Sequence, residues 1–156
     1  MTFPNITTKR STRPFVPALF VDTSAFYALA DESDRHHVAA KDVFVPRGEA
    51  GDLVTSDHVF VESWCLLRAR LGRDAALEFW DAMETGVVQV LGVRSEDLVH
   101  ARDIVREWPD QDFSLVDSTS FAVMESQAVE EALAFDVHFR LYRYGDQRRR
   151  AFRVLP

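Results

Sequence analysis

Four carboxylates stand where chemistry, and not solubility alone, could use them: Asp22, Glu62, Asp117 and Asp136. Asp22 ends the apolar run Ala18-Leu-Phe-Val21 and precedes Thr23 and Ser24, so a short buried strand hands over to a helix at this acid. Helix capping is one sufficient reason for an Asp there; the other is that the crevice beyond the carboxyl ends of parallel strands is where ligands bind. Glu62 falls in step with Val59 and Leu66, on or beside the inward stripe of a helix. A charge in that place needs a partner, either Arg68 on the same helix or a cation, and His58 four residues earlier could share that cation. Ser114 and Asp117 have capping-box spacing, and the same geometry would aim Asp117 at the crevice from a helix N-terminus. Asp136 follows Glu131-Ala-Leu-Ala-Phe135, again an acid at the end of an apolar strand.

These acids can meet only if the right elements carry them. Strands are expected at Ala18–Val21, Leu53–Thr55, Val87–Leu91, Glu131–Phe135 and Ala151–Leu155, with helical patterns between them. That alternation predicts a parallel sheet covered on both faces, and right-handed crossovers bring all strand carboxyl ends to one edge. The helix after the first is expected to end near Pro46-Arg-Gly48, and Ser95 to cap one whose Leu98, Ala101, Ile104 and Val105 face inward. His36 and His37 point about 100° apart on a helix and form no ready metal pair. Gathered at one edge, the four acids repel unless cations sit among them, and oxygen ligands without Cys select hard ions, so Mg²⁺ or Mn²⁺ is expected.

At 156 residues the chain suits one domain, residues 18–156, preceded by a Pro-punctuated arm, residues 1–17, that lacks periodicity and is excluded from the core. No apolar run reaches the roughly 18 residues of a membrane span, and the start lacks a signal-peptide core, so a cytoplasmic protein is expected. The one cysteine, Cys65, has no pairing partner and is expected to be buried as a small hydrophobe. The net charge of −7 is uneven: six arginines against Asp146 give +5 over residues 140–156 and leave −12 elsewhere. Such a tail could grip a nucleic-acid backbone, or simply be solvated.

LFVDTSAF around Asp22, Val-Glu-Ser at Glu62, SLVDSTSFAVM from Ser114 and AFDVHF around Asp136 resemble the four acidic motifs of the PIN domain, most closely the VapC-type toxins. The resemblance implies a three-layer α/β/α Rossmann-like fold around a mostly parallel five-stranded sheet. It also implies an Mg²⁺- or Mn²⁺-dependent endoribonuclease, often a homodimer, restrained by a cognate antitoxin protein. Carried onto this chain, Asp22, Asp117 and Asp136 are the metal ligands, Glu62 completes the catalytic set, and Ser24 is the hydroxyl that supports Asp22. Glu62 would orient or deprotonate the attacking water, and Arg148, Arg149 and Arg150 would hold the RNA backbone. The arm departs from the resemblance, since most such toxins begin almost directly with the first strand.

Two other folds gather acids and Mg²⁺ at a sheet edge. A phosphoacceptor receiver wants an acidic pair after the first strand and a late Lys, whereas the lysines here are Lys9 and Lys41. A haloacid-dehalogenase-type phosphatase wants an Asp where Ser24 stands. The competing function is a PIN-like module that binds RNA or protein without cutting, against which the intact acids argue.

Overall fold

The computed structural model describes residues 18–156; the segment 1–17, expected as an arm, lies outside the described residues. The strands are β1 (Leu19–Val21), β2 (Leu53–Ser56), β3 (Val88–Leu91), β4 (Glu131–Leu133) and β5 (Arg153–Leu155). They form one five-stranded sheet in the order β3-β2-β1-β4-β5, and every pairing is parallel. Every residue of β1 and β2 is buried, as a strand covered on both faces requires. The cover comes from α1 (Thr23–Ala30), α2 (His37–Ala50), α3 (Asp57–Arg70), α4 (Arg73–Glu84), α5 (Ser95–Glu107), α6 (Leu115–Ser126) and the single turn α7 (His138–Leu141).

The central strand takes one neighbour from the next strand in the chain and the other from more than a hundred residues further on. Leu19 and Phe20 pair with Leu53 and Val54 of β2 on one side, and Leu19 to Val21 pair with Glu131 to Leu133 of β4 on the other. This register sets Asp22 and the residues after Leu133 side by side, and Asp22 N–H donates to the Leu133 carbonyl at 3.1 Å. Phenylalanines fill the space beneath. Phe26 packs edge-on against Phe79 with centroids 5.2 Å apart, and Phe121 against Phe139 at 5.1 Å. All four are fully buried, each contributing about 1.5–3 kcal/mol of apolar transfer. Helix α6 is buried on every side from Asp117 to Met124, so its small hydroxyl residues Ser118, Thr119 and Ser120 are what allow α3, α5 and the sheet to close around it.

Several local expectations are corrected. α2 passes through Pro46 and ends at Ala50, two residues beyond the Pro46-Arg-Gly48 stretch expected to close it, because Pro46 and Asp42, whose carbonyl loses its amide donor, both lie on the solvent side. The helix ends at Gly51, whose φ of 77° lets its N–H reach the carbonyls of Arg47 and Gly48. Ser95 does not cap α5: the Asp97 carboxylate accepts the Arg94 N–H at 3.0 Å, and its contact with the Arg94 guanidinium holds it below the usual carboxylate range. Ala101 and Ile104 face inward as expected, but Leu98 and Val105 are exposed, because the buried stripe of α5 runs through Asp97, Ala101 and Ile104. Cys65 is exposed, since α3 buries Val59, Ser63 and Leu67 and turns residue 65 away.

Candidate active site

Asp22 occupies the N-cap of α1 with extended backbone, φ −89° and ψ 163°. Its Oδ2 accepts from Ser24 N at 3.0 Å and from Ser24 Oγ at 2.6 Å, while Ser24 Oγ accepts from Phe135 N at 2.9 Å. Ser24 thus joins the end of β1 to the chain leaving β4. Capping does not use up the carboxylate, because both Ser24 bonds fall on Oδ2. Burial pushes the Asp22 carboxyl up to about 6, the Ser24 hydroxyl and amide pull it back, and the Asp117 charge across the cleft raises it again.

Asp117 is fixed by reciprocal capping of α6. Ser114 Oγ accepts from Asp117 N at 3.0 Å, and Asp117 Oδ2 accepts from Ser114 N at 2.8 Å. The same Oδ2 lies 2.9 Å from His138 Nδ1, whose ring is also 3.4 Å from Asp136 Oδ1. Asp136 Oδ1 in turn accepts the His138 N–H at 2.8 Å, which starts α7 and points the ring back toward Asp117. Asp117, Asp136 and His138 can bring one ligand atom each within 4.8 Å of one another.

Glu62 reaches the cleft from the second turn of α3, and its Oε2 accepts from Thr23 Oγ1 at 2.6 Å. Its partner is therefore this threonine on α1 and not Arg68 on its own helix. His58 does not join it: the His58 Nδ1 lies 3.1 Å from Thr119 Oγ1. Asp22, Glu62, Asp117 and Asp136 thus line one cleft of about 380 Å³, with Thr23, Ser24, Ser114 and His138 supporting them and Asp112 at the rim.

His138 is the cleft residue that the four acidic motifs do not single out. The available signal was the Asp136-Val-His138 spacing at a strand end, which lets one side chain cap the next turn and meet its imidazole. The other histidines are engaged elsewhere: His36 stacks on Phe135 at 4.2 Å between centroids, His37 Nδ1 lies 2.8 Å from the Ala28 carbonyl, and His100 Nε2 lies 3.1 Å from Glu125 Oε1. The arginines stand outside the cleft. Arg148 lies 4.5 Å over the Trp108 ring and donates to the Glu107 carbonyl at 3.0 Å, Arg150 pairs with Glu130 over Tyr144, and Arg149 is exposed.

An all-parallel α/β sheet with four carboxylates converging beyond the ends of its central strands defines a Rossmann-like protein with an acidic cleft. The chain belongs to the PIN domain family, whose model matches residues 19–144. It is 35% identical over 121 residues to the 23S rRNA-specific endonuclease VapC20 of Mycobacterium tuberculosis, in strains CDC 1551 and H37Rv, covering 78% of this chain and 91% of that protein. The crystal structure of M. tuberculosis VapC20, described as a sarcin–ricin loop cleaving toxin, superposes with a TM-score of 0.71 at 33% identity, over 77% of this chain and 91% of that one. A toxin–antitoxin complex from Klebsiella pneumoniae shares the fold, with a TM-score of 0.55 at 15% identity over 77% and 88% of the two chains.

Proposed function

We propose that this protein is a divalent-metal-dependent endoribonuclease, the toxin of a toxin–antitoxin pair, acting on RNA in the cytoplasm. The observation that carries this reading is the meeting of Asp22, Glu62, Asp117 and Asp136 in one cleft of a PIN fold whose VapC20 relative is a named RNA endonuclease. Residues 18–156 act as the single catalytic domain, and a cognate antitoxin and a second copy of the chain are the protein partners.

The donor set fits a hard divalent ion. Asp22, Asp117 and Asp136 offer carboxylate oxygens, and the upward push on Asp22 from burial and from Asp117 is the strain that a cation between them relieves. Mg²⁺ or Mn²⁺ is the ion of choice, Mn²⁺ tolerating the nearby imidazole of His138 more readily. When bound, such an ion offsets charge on the scissile phosphate and acidifies a coordinated water.

The chain's own residues supply the rest. Ser24 holds the Asp22 carboxylate in one orientation and leaves its other oxygen to the cleft. His138 and Ser114 do the same for Asp117. Glu62, anchored through Oε2 by Thr23, has Oε1 to accept a proton from an attacking water and to orient it. Arg149, exposed and basic, is the arginine of the three best placed to meet a phosphate without breaking an internal contact.

The test is cleavage of structured and single-stranded RNA by partner-free protein with Mg²⁺ or Mn²⁺ against EDTA, alongside Asp117→Asn. Cutting that needs the ion and disappears in the variant is expected. Cutting that survives both EDTA and Asp117→Asn would refute the proposal.

A further inference from the structure

The acidic cleft opens onto a seam between two helices. α1 and α3 both leave the same edge of an all-parallel sheet, so they run side by side and in the same direction, away from the cleft. Thr23 and Glu62 join them in the cleft through the 2.6 Å hydrogen bond. One turn further on, Tyr27 of α1 and Leu66 of α3 are both half-buried, and Leu66 still lines the cleft. One turn beyond that, Arg70 closes α3. At 1.5 Å per residue, Leu66 and Arg70 lie about 6 Å and about 12 Å past Glu62, along one side of the helix.

Two side chains of this seam have binding capacity that the fold leaves unused. Arg70 is exposed, with neither a hydrogen bond nor an ion pair among the described residues. Its charge nevertheless reaches Tyr27. Partial burial and the bond to Asp31 push the Tyr27 phenol above its usual range, and Arg70 pulls it back, so the guanidinium lies within electrostatic reach of that hydroxyl. The Tyr27 hydroxyl donates to Asp31 Oδ2 at 3.2 Å, which holds the ring in place, and the ring meets no other aromatic among the described residues. Arg68 is equally exposed, but two residues from Leu66 it is turned roughly 160° away from the seam.

A held aromatic ring followed by an unpaired cation is what a nucleic-acid strand with splayed bases can use: the ring stacks on a base and the cation meets the backbone. A duplex cannot use the ring, because its bases are stacked on one another. We propose that an unpaired RNA strand leaves the scissile phosphate along the seam between α1 and α3, with one base stacked on Tyr27 and the backbone beyond it held by Arg70. This rests on the nuclease reading above and adds to it that the segment next to the cut is single-stranded.

The test is binding of a short labelled single-stranded RNA of mixed sequence, read by fluorescence anisotropy in the Asp117→Asn background so that the RNA stays whole. Tyr27→Leu is expected to weaken binding about five- to a hundredfold, whereas Tyr27→Phe, which keeps the ring and loses the bond to Asp31, stays within about twofold. Arg70→Gln is expected to lower the slope of log affinity against log salt by about 0.7; Arg70→Lys restores it, and Arg68→Gln leaves it unchanged. A duplex of the same sequence is expected to be indifferent to Tyr27→Leu. An equal loss on the duplex, a loss in Tyr27→Phe as large as in Tyr27→Leu, or a salt slope in Arg70→Gln no different from that in Arg68→Gln would each overturn the proposal. Cleavage by the protein with Asp117 intact, read in parallel with Mn²⁺, separates the two readings. Cutting that persists while Tyr27→Leu and Arg70→Gln bind normally overturns the seam alone; binding that depends on Tyr27 and Arg70 without any cutting supports the seam and counts against the nuclease.

Discussion

Replacing Asp22 by Asn removes a buried charge while keeping an oxygen for both Ser24 donors. In the folded protein the Asp22 carboxyl is pushed from 3.8 up to about 6, chiefly by burial, with Asp117 adding to it. That displacement corresponds to about 3 kcal/mol lost by the metal-free fold when Asp22 ionises. The sign follows from proton binding. Below about pH 4 the carboxyl is neutral in both folded and unfolded chains, so the wild type and Asp22→Asn should melt together. Between about pH 4 and 6 the folded state holds the proton more tightly, and the wild type loses stability as pH rises; above about pH 6 the loss is complete. For a chain of this size each kcal/mol moves Tm by about 2–4 °C, so in EDTA the variant should melt about 6–12 °C higher at pH 8 and with no difference at pH 4. Calorimetry or circular dichroism across that range gives the answer. Added Mn²⁺ should raise the wild-type Tm and narrow the gap, because an ion that binds only the folded state stabilises it. A Tm difference that stays flat from pH 4 to 8, or a variant less stable at pH 8, would refute the account of Asp22 as a strained, cation-seeking carboxylate.

Other perturbations address the neighbouring contacts. His138→Gln removes the imidazole that fixes Asp117 and Asp136, and Mn²⁺ affinity by titration calorimetry should fall about 10- to 100-fold; unchanged affinity would make the histidine a packing residue only. Thr23→Val leaves Glu62 Oε2 without its 2.6 Å donor and should cost about 1 kcal/mol in urea denaturation, with slower RNA cleavage; a variant as stable and as active as wild type would show that the bond is idle. Phe121→Ala opens the centre of the aromatic core and should cost about 3–5 kcal/mol, so a small change would mean that the core collapses around the gap. Arg149→Ala should weaken RNA binding to a similar degree across sequences and lower the salt slope by about 1, whereas loss of binding to one sequence alone would mark it as a base-reading residue.

The elements that position the cleft were legible because each carries a local signal strong enough to survive packing. Ala18 to Val21 is a short apolar run closed by a capping acid, of which Leu19–Val21 is the buried strand, and Ser114-Leu-Val-Asp117 forms the reciprocal cap that its spacing predicts. What escaped detection depends on which side of an element faces the core. Cys65, Leu98 and Val105 look like core residues by type, but the helix phase that buries Ser63 and Asp97 turns them outward. Pro46 reads as a helix end, yet a proline is tolerated where the deprived carbonyl faces water. His138 was hidden for a different reason. Its role arises from a contact across 21 residues with Asp117, and no spacing within one element announces such a pair.

The order of strands has a consequence for when this molecule can act. β1 is made early but gains its second neighbour only when β4 is complete, and the cleft needs Asp136 and His138, which follow β4. Parallel partners cannot be joined by a tight turn, so the contact that closes the cleft spans more than a hundred residues and carries a large loop-closure entropy. A growing chain that stops short of β4 lacks Asp136 and His138 of the cleft, whatever its β1, β2 and α3 have already built. Synthesis is therefore a delay: the residues that line the cleft are complete only after β4 has been made, and under the proposed function this gives a restraining partner time to be present first.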